Sequence, residues 1–379
     1  LALNLRTIPI HLDKVMRFVH LEPRVKDAAR LVTNKAFRNS LDAYDATAAK
    51  DMLVPWLQRA AQQTVSTPGK NRHADRIFRY LRNSVGSQIM VANVVNTLQQ
   101  FTGFSLSLTK VKAKHLRHGL FRYLSGPGSM ADDIHAKSKF MAQRTTTQVM
   151  EIQATVDDIT LNPTKYEKAV NFSKRHGYFM QQGTQNIVDL ITWSGAYDQA
   201  VKLGETEQDA VRQADSAVRE TQGSFDPESI SAFEAGTPFT RAFTMFYSYF
   251  NMQANLLGTE FQKVARDMGV RKGAGRAFYL YFVGFMIPAV LAEIIVKASG
   301  GFDADDEDEY LNEALSVYFM SQIRTSFAMV PGVGPMALAG VNMLNNKWYD
   351  DRIATSPVVS MLESAVRAPI SVYEAMAED

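Results

Sequence analysis

The sequence predicts an all-α protein, an extended multi-helix assembly with a candidate membrane-interacting helical hairpin near the C-terminus. Three observations predict it. Apolar residues recur at helical spacing, as in Leu31, Phe37, Leu41 and Tyr44, or Val201, Val211, Ala214 and Val218. Alternating β-branched runs joined by Asn-Gly turns are missing. Polar residues stand before proline at Asn162-Pro163, Asp226-Pro227 and Thr237-Pro238, and a proline at the first helical position gives up no hydrogen bond.

In chain order, Thr67-Pro68-Gly69 makes the first joint. After it, Arg72, Arg76 and Arg79 fall at i, i+4 and i+7 with Arg82 three further on, a row of guanidiniums on one helical face. Asn83 to Thr109 is 27 residues without a charge, but Asn93, Asn96, Gln99 and Gln100 make it a helix to bury among protein rather than lipid. Lys110, Lys114 and Arg117 then form a second row, joined by Lys112, His118 and Arg122. Such rows suit phosphate backbones or anionic lipid headgroups equally, and a solvated face or salt bridges to acidic partners would also use them. Ser125-Gly126-Pro127-Gly128 makes the second joint. Ser129 to Asp132 and Thr206 to Asp209 resemble capping boxes, and helices are expected near 130–160, 163–203, 206–222, 227–234 and 238–268.

Charge and composition bound the function. The chain of 379 residues is long enough for two or three domains at roughly 100–200 residues each. A mean hydropathy of −0.16 excludes a polytopic transporter, and the lack of cysteine excludes a disulfide scaffold, a Cys-ligated zinc site and thiol catalysis. The first 150 residues hold 23 Lys/Arg against 9 Asp/Glu, and the rest 18 against 30, so the halves carry opposite net charge. We therefore divide the chain into a basic region 1–125, an acidic connector 126–235 and an aromatic, apolar region 236–379. The start at Leu1-Ala2-Leu3 without methionine suggests a piece of a longer polypeptide.

The C-terminal region carries the membrane signal. Phe243, Phe246, Tyr247, Tyr249 and Phe250 crowd one helix with aromatic surface, which calls for a partner or a bilayer interface. Ala277 to Ala292 bears no charge, and it continues past Glu293 to reach about 20 residues, near the length that spans hydrocarbon. Its candidate contacts are Phe278, Tyr279, Tyr281, Phe282, Phe285, Ile287 and Leu291. The acidic run Asp303 to Glu309 and the Gly/Pro-rich stretch from Thr325 to Asn346 complete a hairpin over 277–346. Lys263, Arg266, Arg271, Lys272 and Arg276 form a basic flank that would lie cytoplasmic. The competing expectation is a buried core helix with Glu293 paired.

Catalytic patterns are missing. No G-x-S-x-G elbow, Walker A loop or H-E-x-x-H helix occurs, and Gly332-Val333-Gly334 runs into Pro335, which suits a turn. His115 and His118 lie three apart, but neighbouring Lys and Arg would repel a metal. Asp157-Asp158 and Asp305-Asp306 lack the apolar surroundings that raise a carboxyl pKa. No enzyme activity, cofactor or metal is expected in this segment.

Three passages carry a resemblance: Val91-Ala92-Asn93-Val94-Val95-Asn96-Thr97-Leu98-Gln99-Gln100-Phe101-Thr102-Gly103, the stretch from Ala210 through Thr221-Gln222-Gly223-Ser224, and Phe243-Thr244-Met245-Phe246-Tyr247-Ser248-Tyr249-Phe250-Asn251. They resemble the C-terminal regions of large phage internal virion proteins, the DNA-ejection and large polyvalent proteins of short-tailed phages. The resemblance implies storage in the capsid core on the portal, exit through the tail, and a conduit across the host envelope for genome entry. It implies as partners other copies of the chain, other core proteins, the portal, the host inner membrane and passing double-stranded DNA. A lytic transglycosylase domain can sit elsewhere in such proteins. Alternative expectations are a soluble scaffold of the capsid core and an accessory segment of a peptidoglycan-cleaving virion protein.

Overall fold

In the computed structural model 88% of the described residues are helical and none forms a strand, as the sequence predicts. The structure describes residues 7–45, 47–62, 69–79, 81, 97–98, 100–144, 179–223, 230, 234–244, 247–300, 318–319, 321–323 and 325–326. The chain divides into one unit of residues 1–75 with 225–241 and another of residues 76–224 with 242–379. The divisions at 125 and 235 mark composition and do not coincide with these units.

The first unit contains α1 (Thr7–Thr33), α2 (Lys35–Tyr44) and α3 (Val54–Gln62), the last entered through a π-helical turn at Ala48–Leu53. Asn34 separates α1 from α2 because its side chain accepts the N–H groups of Ala36 at 2.9 Å and Phe37 at 3.2 Å, an N-cap. That break splits the Leu31 to Tyr44 periodicity. Leu31 and Phe37 consequently stand exposed rather than on one buried stripe.

The second unit is built around α7. Its N-terminal part comprises α4 (Gly103–Ser107), α5 (Ala113–Ser125) and α6 (Pro127–Lys137), followed by helical residues 139–144. Next come α7 (Phe179–Lys202) and α8 (Glu207–Thr221), and both α5 and α8 pack along α7. Glycine permits the α5–α7 approach. A Cβ on Gly119 would stand 2.7 Å from the Ile191 carbonyl oxygen, and one on Gly195 would stand 3.1 Å from the Leu116 Cα. Leu116, Met130, Ile134, Met141, Ile191, Trp193 and Val218 fill the core.

Polar side chains position these helices. The buried Trp193 indole donates to Asp215 Oδ1 at 2.8 Å, and the Ser138 hydroxyl donates to the same oxygen at 2.6 Å. Ser138 Oγ also accepts the Met141 N–H at 3.0 Å, so it starts a new helix and interrupts the one expected over 130–160. Ser129 is not a cap, because α6 already begins at Pro127 and the Ser129 hydroxyl donates to the Gly126 carbonyl at 3.0 Å. Thr206 caps α8 as expected, accepting the Asp209 N–H at 3.2 Å. Arg144 Nε donates to Asp189 Oδ2 at 2.6 Å, an ion pair whose side chains are 6% and 3% exposed.

Two further expected helix starts, at Asn162-Pro163 and Asp226-Pro227, lie outside the described residues. Thr237-Pro238 does start α9 (Pro238–Phe243), where Thr237 Oγ1 accepts the Thr240 N–H at 3.3 Å. The helix expected over 238–268 is thus two pieces, α9 and α10 (Tyr247–Tyr281). Gly269 breaks α10 near the expected end, with φ 72° and ψ 157°, a conformation that costs little only for glycine.

Beyond α10 the chain passes through a π-helical segment, Phe282–Met286, into α11 (Ile287–Gly300). Pro288 explains the wide turn. In an α-helix the Gly284 carbonyl would accept from the N–H of residue 288, which proline lacks, and the ring would press on that carbonyl. Instead the Ile287 N–H reaches back to the Phe282 carbonyl, and the buried Gln253 amide of α10 donates to the Gly284 carbonyl at 2.7 Å. Leu257, Val264, Leu280 and Phe285 pack into a second apolar cluster beside it.

Candidate membrane and polyanion contact surfaces

The two basic rows fare differently. Arg72, Arg76 and Arg79 stand exposed on helical residues 72–79, and Arg82 lies outside the described residues. Lys112, Lys114 and Arg117 are also exposed. Lys110 and Arg122 are not free, which corrects the expectation of a continuous row. Arg122 Nη2 donates to Asp133 Oδ2 at 2.6 Å, and the hydrogen bonds from Lys137 and Arg122 hold the Asp133 carboxyl below its ordinary range.

Lys110 sits in the turn between α4 and α5 with a side chain 15% exposed. It pairs with Glu220 of α8 and donates to Glu260 of α10 at 2.7 Å, and Lys263 reaches Glu260 at 3.0 Å. Burial alone would lower the Lys110 ammonium, but the hydrogen bonds to Glu220 and Glu260 outweigh it and hold the group above the ordinary lysine value. Burial pushes Glu220 up, and the hydrogen bonds from Lys110 and Ser216 more than reverse that. This cation therefore joins three elements of one unit instead of meeting a polyanion.

The apolar helix is two-sided. Among the described residues one helix, within Tyr249–Ala292, is long and apolar enough to cross a membrane, and 33% of its most apolar window is buried. On the outward side Phe278 is 66% exposed and stacks on Phe282 at 6.4 Å, with Tyr281, Leu291 and Ile294 also exposed. On the inward side Phe285 and Leu280 are buried, which corrects the expectation of lipid contact at Phe285. Tyr279 likewise faces protein, its hydroxyl donating to the Leu108 carbonyl at 3.2 Å, while Arg276 donates to the Thr109 carbonyl at 2.9 Å. Ile287 is half-buried.

The aromatic cluster upstream also turns inward where it is described. The Tyr249 hydroxyl lies 3.2 Å from Thr102 Oγ1, and half-buried Phe250 meets the Tyr249 ring edge-on at 5.5 Å. Phe243 lies in α9 and Tyr247 begins α10, and Phe246 lies outside the described residues. So do the acidic run Asp303 to Glu309, residues 327–346 of the expected hairpin, and the Asp157-Asp158 and Asp305-Asp306 pairs.

Sequence reasoning missed Asp198. The His115 Nδ1 lies 2.6 Å from Asp198 Oδ2, the His118 Nδ1 lies 3.9 Å from the same oxygen, and Lys202 donates to it at 3.0 Å. Burial would raise the Asp198 carboxyl, but His115 and Lys202 lower it below the ordinary range. Nearby cations make this an anchor rather than a metal centre, and among the described residues no three His, Cys, Asp or Glu side chains are grouped to hold a metal ion. The spacing of His115 from an aspartate 83 residues later gives no local signal.

Comparison with known proteins finds no matching family model, no matching curated protein and no matching solved structure.

Proposed function

We propose that this chain is a structural segment of a phage internal core or DNA-ejection apparatus that helps form a conduit for genome delivery across the host envelope. The observation that carries the reading is the outward apolar face of Phe278, Phe282, Leu291 and Ile294. Exposed apolar surface of this kind marks a protein or membrane contact. Burying it in hydrocarbon would yield roughly 25 cal/mol per Å². The sequence passages named above support the phage setting, and the absence of cysteine suits a chain that moves between compartments. In this reading its partners are other copies of itself, other core and ejection proteins, the portal and the host inner membrane. Passing duplex DNA would meet the exposed guanidiniums of Arg76 and Arg79. The chain resides in the virion interior and then in the host envelope, and its role is mechanical rather than catalytic.

The test is co-flotation of the purified chain with anionic and neutral liposomes, beside a Phe278→Asp, Leu291→Asp variant. Both positions are exposed, so the variant leaves the cluster around Leu280 and Phe285 intact. Salt-resistant flotation with neutral liposomes that the variant loses is the expected result. No flotation by either protein would overturn membrane contact and favour a soluble scaffold of the capsid core. The burial of Leu280 and Phe285 against α10 is the observation on that side. Ring-like oligomers stable without detergent would then be expected.

A further inference from the structure

We propose that the outer face of α5 is a docking surface for an anionic bilayer, one that does not depend on whether the 277–296 helix enters lipid. The inner face of α5 is fixed. His115, Leu116 and Gly119 are buried against α7, His115 is held by Asp198, and Arg122 is held by Asp133. The helix therefore cannot roll to hide its other side. That side carries Lys114, Arg117, Phe121 and Leu124 at steps of three, four and three, a single stripe on an α-helix.

Along this stripe the chemistry is segregated. The exposed cations Lys114 and Arg117 occupy the first half, with Lys112 just before the helix. Phe121 and Leu124 occupy the second half at 59% and 68% exposure, flanked by Leu120 at 40%. These large apolar side chains stand exposed to water beside the cations. An anionic bilayer matches both halves: ammonium and guanidinium groups meet lipid phosphates, and phenyl and isobutyl groups enter the acyl boundary.

A nucleic-acid backbone and a second copy of this helix each fail on at least one half. A DNA backbone would take Lys114 and Arg117 but leave Phe121 and Leu124 in water. A second copy docked in parallel would set cations against the same cations, and an antiparallel copy would set them against Phe121 and Leu124. Charge complementarity thus selects the anionic membrane.

The chain contains no cysteine, so one introduced thiol gives one label. A Leu124→Cys chain carrying an environment-sensitive fluorophore is mixed with phosphatidylcholine vesicles, with and without phosphatidylglycerol. Gln213→Cys, exposed on α8, serves as the reference position, and Phe121→Cys repeats the measurement one turn away. The expected result is a blue-shifted, brighter emission at 124 and 121 on the anionic vesicles alone, with little change at 213. Lys114→Gln with Arg117→Gln should weaken that partitioning roughly 30-fold, which corresponds to about 1 kcal/mol per cation near an anionic surface. The Phe278→Asp, Leu291→Asp background should keep the response at 124, which separates this surface from the 277–296 helix. Unchanged emission at 124 and 121 on anionic vesicles would overturn the proposal. So would an equal response to duplex DNA without lipid, or a response that grows with protein concentration in the absence of vesicles.

Discussion

Replacing Lys110 by Met should destabilise the protein by about 2 kcal/mol at neutral pH. Loss of one partner from a fully buried ion pair costs about 3–5 kcal/mol, and loss of an exposed pair costs about 0–1. Lys110 lies between these limits. Glu260 is 11% exposed and keeps Lys263, whereas Glu220 is 41% exposed and keeps its Ser216 hydrogen bond. Urea denaturation of the wild type and Lys110→Met at several pH values measures the cost. The raised Lys110 pKa contributes stability that is present below the ordinary lysine pKa of about 10.4 and is lost as pH rises through the folded value. The lowered Glu220 pKa contributes stability that is present above about 4.3 and is lost as pH falls through the folded value. Both contributions are complete at pH 7. With the Glu220 contribution missing from the variant, the deficit should shrink only as pH falls below about 4.3 and through the lowered folded value. A deficit below about 0.5 kcal/mol at pH 7 would refute the clamp and leave Lys110 as packing alone.

Two other substitutions probe the core of the second unit. Arg144→Met should cost about 3–5 kcal/mol in urea denaturation, because it strands the buried Asp189 carboxylate, and adding Asp189→Leu should recover much of that loss. Gly119→Ala should lower stability by about 1–3 kcal/mol, read as a fall in thermal midpoint, since its methyl would press on the Ile191 carbonyl and drive α5 from α7.

Local signals were legible in the sequence, and signals that depend on distant partners were not. Thr206 and Thr237 act on N–H groups three residues away, so their caps could be read directly. The interruption at Ser138 could not, because the hydroxyl is held by Asp215, 77 residues on. Lys110 and Lys114 look alike in the sequence. Only the folded chain brings Glu220 and Glu260 to the first and leaves the second in water. The same holds along 277–292, where residues apolar on every side give no periodicity to tell inward Phe285 from outward Phe278. Nothing local in the sequence marks Phe121 and Leu124 as exposed, because α5 resembles any amphipathic helix until α7 is seen to take only one of its faces.

The wide turn at Phe282–Met286 also acts as a phase shifter. An α-helix advances about 100° per residue, so an unbroken helix would point Leu291 and Ile294 about 180° and 120° away from Phe282. One extra residue absorbed in the π turn sets both back by about 100°. Ile294 then returns to about 20° from Phe282, and Leu291 to about 80°. A proline placed at 288 thereby decides which side of the chain faces outward two turns later, and a residue deleted anywhere else in this helix would swing that side round by about 100°.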